Sequence, residues 1–148
     1  MAKGLVAEAE VVINASPERV WEALTTPRII KQYFFGSDVA SDWQVGSPIT
    51  YRGQWQGKEY EDKGVVLDVQ PGRRLVTTHW SPLSEVADVP ENYHTVTYDL
   101  VPEGPATRVT LRQDNNASEQ EAAHSGDNWR MVLKLLKELL EGEGSSRG

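Results

Sequence analysis

The sequence contains no cysteine among its 148 residues, and only two phenylalanines, two methionines and three histidines. The lack of cysteine excludes disulfide bonds, thiolate metal sites and cysteine nucleophiles, and it favours a reducing compartment such as the cytoplasm. No apolar run approaches the roughly 20 residues that a membrane span requires. The stretch Val11-Val12-Ile13 is too short for the core of a signal peptide. We therefore predict a soluble, cytoplasmic protein without a membrane partner.

Positive charge is also scarce, because the chain has 15 basic and 22 acidic residues and a formal net charge of −7. The basic residues are scattered, and Arg73 and Arg74 form their only adjacent pair. Neutralising phosphates requires clustered Lys and Arg, so the sequence argues against a nucleic-acid partner. No nucleophile elbow, Gly-rich phosphate loop or kinase motif is present, and we predict no cofactor.

The remaining composition is that of a globular protein, with 39% hydrophobic and 25% charged residues. At this length a chain folds as one domain and buries roughly 70% of its unfolded surface. We predict a single domain over residues 1–142 and a flexible tail over residues 143–148.

The local patterns predict an α+β fold. Residues 5–14 alternate as a half-buried strand, Ser16 and Pro17 begin a short helix, and Pro27 begins a second one. Residues 36–115 consist of strands and tight turns with hairpin spacing, which indicates an antiparallel sheet. In one of these strands Val65, Leu67 and Val69 are in phase, and Gly64 is a candidate bulge. A capping pattern at Ser118 opens a long amphipathic helix that ends at Gly142.

Four segments carry a resemblance to a known family. They are VVINASPERVWEALTTPRIIKQYF, DVQPGRRLVTTHW, TRVTLRQ and NWRMVLKLLKELL. The chain resembles the START-like (SRPBCC) superfamily, in the branch of the C-terminal domain of the activator of heat shock protein 90 ATPase. The resemblance implies a helix-grip fold, in which a curved antiparallel sheet of six or seven strands wraps around the C-terminal helix. Where many relatives have Trp or Trp-Phe after the second helix, this chain has Tyr33-Phe34-Phe35, which changes the shape of the pocket mouth.

The sequence has five tryptophans and five tyrosines but only two phenylalanines. Trp and Tyr combine a large apolar surface with one polar group, so they suit a pocket for a ligand that has both apolar and polar parts. We predict that such a pocket lies between the sheet and the last helix; the alternative is that these side chains fill the core. The predicted ligand-binding residues are Phe34, Tyr51, Trp55, Leu67, Trp80, His94, Val96, Tyr98, Leu111, Gln113, Trp129 and Leu133.

Two polar residues of this set have their own interpretation. His94 is in phase with Val96, Tyr98 and Leu100, so it is predicted to face inward, either as a satisfied core residue or as a general base beside Tyr98 or Tyr93. Gln113 shares the face of Val109 and Leu111 and is predicted to present its amide to the pocket. No pair of histidines has a short metal-ligand spacing, so we predict no metal site.

Three functions follow as hypotheses. The first is the binding of a small apolar or amphipathic molecule in the cavity, without catalysis. The second, implied by the resemblance, is an interaction domain that modulates a chaperone ATPase in a stress response. The third is a cyclase or hydrolase that uses His94 with a tyrosine. We predict a monomer or a weak homodimer.

Overall fold

The structure is a computed structural model that describes residues 5–34, 36–55, 57–82, 86–116 and 118–147. Its strands are β1 (Leu5–Ile13), β2 (Asp38–Ser41), β3 (Pro48–Trp55), β4 (Lys58–Gln70), β5 (Arg74–His79), β6 (His94–Glu103) and β7 (Ala106–Asn116). Its helices are α1 (Pro17–Thr25), α2 (Pro27–Tyr33) and α3 (Glu119–Arg147), and a short 3₁₀ turn covers Pro90–Asn92.

The described strands form one antiparallel sheet in the order β1-β7-β6-β5-β4-β3-β2. The sheet curls around α3, and the two short helices follow β1. The predicted α+β helix-grip fold is therefore confirmed.

The helix starts follow from local capping. The Ser16 hydroxyl accepts a hydrogen bond from the Arg19 amide at 3.2 Å, and Pro17 occupies the first turn of α1. Thr26 is extended because Pro27 follows it, and this breaks the chain into two short helices. The Ser118 hydroxyl accepts from the Glu121 amide at 3.0 Å and caps α3 as predicted.

The helix α3 packs its apolar stripe on the inner face of the sheet. Val132, Leu133, Leu136 and Leu140 are buried against β1 and β7, where Ile13, Val109 and Leu111 are fully buried. Within the described part of the chain, no helix combines the length and apolar character needed to cross a membrane.

The predicted end of α3 at Gly142 is wrong, because the helix continues to Arg147. Gly142 is not among the glycines with positive φ, so it does not make the left-handed turn by which glycine ends a helix. A flexible tail over residues 143–148 stays a prediction, and Gly148 lies outside the described residues.

The inward face of β4 was also assigned wrongly. Val66 is fully buried, whereas Val65 and Leu67 are 39% and 45% exposed. A bulge between Val66 and Asp68 shifts the register of β4 against β5. The alternation of inward and outward side chains before the bulge is therefore out of phase with the alternation after it. Leu67 therefore lies on the outer face and not in the interior.

The role predicted for Gly64 is different from the one observed. A Cβ on this residue would lie 1.7 Å from the Thr78 carbonyl oxygen. Glycine is required there because β4 and β5 approach each other closely, two residues before the bulge.

Candidate functional site

An interior cavity lies between α2 and the inner face of the sheet. Its volume is about 20 Å³. The residues that line it are Leu24, Ile30, Tyr33, Phe34, Val39, Trp43, Ile49, Tyr51, Leu75, Thr77 and Tyr98. A cavity of this size holds about one water molecule, whereas pockets for drug-sized ligands are roughly 300 Å³ or larger. This cavity is therefore far too small for the ligand that the sequence predicts.

The cavity also lies elsewhere than expected, because no described residue of α3 lines it. Trp129 packs its ring against Phe34 at 5.7 Å and Tyr98 at 6.3 Å between centroids, both edge-on. The space beneath Trp129 is thus filled by aromatic rings. Of the predicted residues, Phe34, Tyr51 and Tyr98 line the cavity, while Val96, Leu111 and Leu133 are buried core residues beside it.

Two partly buried aromatic residues wall the cavity from short segments. Phe34 directly follows α2 and stacks on Tyr51 with ring centroids 5.6 Å apart. Trp43 follows the edge strand β2, packs against the core and has a φ of 57°. A positive φ is uncommon for a residue with a Cβ, so tertiary contacts must hold this conformation in place.

Four hydroxyl groups face or border the cavity. The Tyr33 hydroxyl donates to the Ala23 carbonyl at 2.8 Å, and Thr77 is the polar neighbour of the Tyr51 hydroxyl. Tyr98 supplies the third phenol of the lining. Burial raises the pKa of all three phenols above their ordinary value of 10.0. They are therefore neutral hydrogen-bond donors at physiological pH.

The Gln113 amide is satisfied within the protein and does not face the cavity, contrary to the prediction. Its oxygen accepts a hydrogen bond from the Trp129 indole N–H at 2.7 Å. Its nitrogen lies 3.3 Å from the Asn116 side-chain oxygen and 3.3 Å from the Ser125 hydroxyl. This network fixes the first turns of α3 on the end of β7.

His94 faces inward as predicted, but it is not paired with a tyrosine. Its Nδ1 lies 2.8 Å from the Asp114 carbonyl, which only accepts, so Nδ1 carries the proton. Its Nε2 lies 3.9 Å from Glu121. Tyr98 is four residues further along an extended strand, about 13 Å away. Tyr93 donates to Asp88 at 2.5 Å instead. The proposed catalytic pairs are therefore not formed.

A histidine–carboxylate pair that was not predicted lies on the same face. His79 Nε2 is 3.0 Å from Asp62 Oδ2, and the two residues come from adjacent strands. Asp62 Oδ1 is buried with no hydrogen-bond partner among the described residues. The ring of Tyr51 meets His79 edge-on at 5.6 Å. In the sequence, alternation along the strand places Asp62 on the same face as Tyr60 and Gly64, which is the inner face. The acidic residues next to Asp62 pointed instead to a solvated surface, and for this reason the pair was not predicted.

Trp80 lies on the outer face, so it does not line the interior as predicted. Its backbone pairs with exposed Lys63, its indole donates to the Val86 carbonyl at 3.2 Å, and its ring stacks on Tyr93 at 6.4 Å. The side chain of Trp55 lies outside the described residues.

Trp80 borders an open groove of about 860 Å³ at the end of β3 and β4. Two ion pairs involve charged side chains that line the groove, Arg52–Glu61 at 3.5 Å and Lys63–Asp88 at 2.5 Å. No group of three or more His, Cys, Asp or Glu with metal-binding geometry occurs among the residues that the structure describes.

Comparison with known proteins supports the resemblance seen in the sequence. The solution structure of a protein from Cytophaga hutchinsonii shares 48% identity over 98% of this chain and 99% of its own, with a TM-score of 0.84. The solution structure of an Aha1 dimer from Colwellia psychrerythraea shares 23% identity over 93% and 96%, with a TM-score of 0.72. The protein DynU16 from the dynemicin biosynthetic locus shares 22% identity over 92% of this chain and 47% of its own, with a TM-score of 0.76. No protein of curated function matches.

The last two similarities show a common fold alone. The sequence profile that describes "Activator of Hsp90 ATPase homolog 1-like protein" matches residues 14–141, from the corner before α1 almost to the end of α3. With the 48% identity over nearly the full length of the Cytophaga protein, this match places the chain in the family of Activator of Hsp90 ATPase homolog 1-like proteins.

Proposed function

We propose that the protein binds a small, largely apolar molecule in an enlarged form of the interior cavity. The observation that carries the proposal is the lining of this cavity, which is aromatic and aliphatic and includes no charged side chain. Ligand pockets in proteins have this character, with a few polar groups that fix the orientation of the ligand.

The closed cavity is too small for such a molecule, so the proposal requires a movement of its wall. Phe34 and Trp43 are the side chains that move outward, because they belong to short segments at the edge of the sheet. Helix α2 has seven residues, and β2 has four and pairs only with β3 on one side. Segments with few buried contacts open at lower free-energy cost than central strands.

The test is a titration of the ¹⁵N-labelled protein with small neutral aromatic molecules, followed by NMR. We expect shifts of the amides of α2, β2 and the Trp43 segment, and a ligand-dependent rise in Tm. Val39→Phe adds volume to the cavity wall, and we expect it to weaken binding at least about tenfold. Val101→Phe makes the same change on the outer face, where Val101 is 50% exposed, and should leave binding unchanged. Wild-type protein without response to any probe would refute the proposal.

A second function is supported by the nearly filled interior and by the name of the family. A domain that modulates a chaperone ATPase works through its surface and needs no cavity. Purified protein would then raise or lower the ATPase rate of the Hsp90-type chaperone from the same organism and bind its middle domain in a pull-down. Unchanged turnover together with an empty pull-down would end this hypothesis.

The remaining predictions concern the setting of the protein. A monomer or weak homodimer, a cytoplasmic location and a role in stress response stay predictions, and sedimentation velocity at several concentrations tests the first of them.

A further inference from the structure

Three side chains lie side by side on the inner face, one on each of three neighbouring strands. Tyr51 on β3 is the cross-strand partner of Asp62 on β4, so both side chains project from the same face with their Cβ atoms about 5 Å apart. Asp62 Oδ2 lies 3.0 Å from Nε2 of His79 on β5, and the rings of His79 and Tyr51 meet at 5.6 Å. Because a carboxylate oxygen only accepts hydrogen bonds, Nε2 carries the proton of this pair.

The second carboxylate oxygen of Asp62 has no such partner. Oδ1 is buried, and nothing in the described part of the chain donates a hydrogen bond to it. Within that part of the chain, it is the one buried side-chain nitrogen or oxygen atom of which this is true. A buried acceptor without a donor is costly, most of all when it carries charge, and a bound donor removes that cost.

The number of missing partners restricts the donor. An ammonium group brings three N–H groups and a guanidinium group brings five, so either would leave buried donors unsatisfied where a single acceptor lacks a partner. A hydroxyl group brings one O–H and no charge. It therefore also suits the neighbouring cavity, whose lining includes no charged side chain.

We infer that the protein selects ligands with an alcohol or phenol hydroxyl group, which donates its proton to Asp62 Oδ1. This inference rests on the proposed function and names its ligand class. Asp62 does not line the cavity of about 20 Å³, but Tyr51 lines it and is the neighbour of Asp62 on the sheet. Phe34 stacks on Tyr51 at 5.6 Å. The outward movement of Phe34 that enlarges the cavity therefore also frees the Tyr51 ring to turn and admit the hydroxyl group to Asp62.

Three neutral probes with the same carbon skeleton separate this inference from the proposed function. 1-Phenylethanol offers a hydrogen-bond donor, acetophenone offers only an acceptor, and ethylbenzene offers neither. Their dissociation constants are measured by NMR titration of wild-type protein, Asp62→Asn and Asp127→Asn. In Asp62→Asn the amide oxygen accepts from His79, and the amide nitrogen puts a donor in the place of Oδ1. Asp127→Asn makes the same chemical change on α3, where the Asp127 side chain is 74% exposed.

Wild-type protein and Asp127→Asn should bind 1-phenylethanol at least about tenfold tighter than ethylbenzene, as a hydrogen bond to a charged acceptor accounts for. Acetophenone should gain nothing over ethylbenzene. Asp62→Asn should bind the ketone and the alcohol equally, because its N–H group serves both oxygens. In wild-type protein saturated with the alcohol, NOEs should connect the probe to the ring protons of His79 and Tyr51.

Equal binding of the alcohol and ethylbenzene to wild-type protein would overturn the inference and assign Oδ1 to a buried water molecule, with the proposed function intact. A preference for acetophenone would overturn it too, because Oδ1 would then carry a proton. So would the absence of the NOEs to His79 and Tyr51. These three results need wild-type protein alone, so they decide the question even where Asp62→Asn does not fold. If none of the probes binds, the proposed function itself fails.

Discussion

The indole N–H of Trp129 donates to the side-chain oxygen of Gln113 at 2.7 Å and joins the start of α3 to the end of β7. Asn116 continues this network. It is fully buried, and its side-chain amide donates to the carbonyl of Leu5 on β1 at 3.0 Å. Two strands and the long helix are therefore locked together at one end by a small network of buried amides. Removing one side chain from such a network lowers the stability of the protein, because the buried polar groups that remain lose their hydrogen-bond partners.

The first prediction concerns this network. Gln113→Leu leaves the Trp129 N–H without its acceptor and removes one hydrogen bond to Asn116, and should lower the free energy of unfolding by about 2 kcal/mol. Urea unfolding measured by circular dichroism, with Trp129→Phe and the double variant, gives the coupling between the two residues. We expect the double variant to cost less than the sum of the single variants. Additive costs would show that the bond contributes nothing of its own.

The second prediction concerns the close approach of β4 and β5. Gly64→Ala puts a methyl group where the Thr78 carbonyl oxygen lies, 1.7 Å from the new Cβ. Backbone must shift to accommodate it, and we expect a loss of about 3 kcal/mol or more. Gly142→Ala is the matched control, since nothing lies within 4 Å of a Cβ at this helical position. It should stabilise the protein by up to about 1 kcal/mol. Equal Tm values for the two variants would contradict the described packing of these strands.

Much of the fold could be predicted from the sequence because its signals are local. Ser16 and Ser118 cap helices within three residues, and the spacing of Val132, Leu133 and Leu136 defines the buried face of α3 without reference to the sheet. The face of Leu67 could not be predicted, because the bulge that reverses it depends on how β4 meets β5.

The candidate site was harder to predict for the same reason. The pairing of His79 with Asp62 depends on the register of two strands. The hydrogen bond between Gln113 and Trp129 depends on the position at which α3 packs against β7. Alternation showed that Tyr51 and Tyr98 face inward. The size of the cavity between them depends on packing, and the pattern of residues carries no information about volume.

The third prediction concerns ion pairs on the outer face of the sheet. Asp99 on β6 pairs with Arg74 on β5 at 2.6 Å and with Arg112 on β7 at 3.6 Å, and Arg112 pairs with Glu8 on β1 at 2.7 Å. Because Asp99 bridges two cations, Asp99→Asn should lower the urea midpoint more than Asp127→Asn, which removes one isolated pair with Arg130. The difference should shrink in 1 M NaCl, because salt screens exposed charges. A difference that persists in salt would assign the effect to packing.

The last prediction concerns the pH dependence of stability at Glu141. Its carboxylate accepts hydrogen bonds from Lys137 Nζ at 2.6 Å and from the Asn14 amide at 2.9 Å, so it ties α3 to the corner between β1 and α1. The Lys137 bond, and then the Asn14 bond, lower the pKa of Glu141 below its ordinary value of 4.5. A carboxyl with a lowered pKa stabilises the folded state above the unfolded pKa, and this stabilisation is lost as the pH falls through the folded pKa.

Glu141→Gln should therefore cost about 0.5 kcal/mol at pH 7, a small value because the pair is partly exposed. The cost should fall towards zero in strong acid, below the lowered pKa, where wild-type Glu141 is itself protonated. Urea unfolding at a series of pH values between 2 and 7 measures this difference, and Glu138→Gln on the exposed side of α3 is the matched control. An equal cost at both ends of the series would mean that the Glu141 side chain acts through its shape and not through its charge.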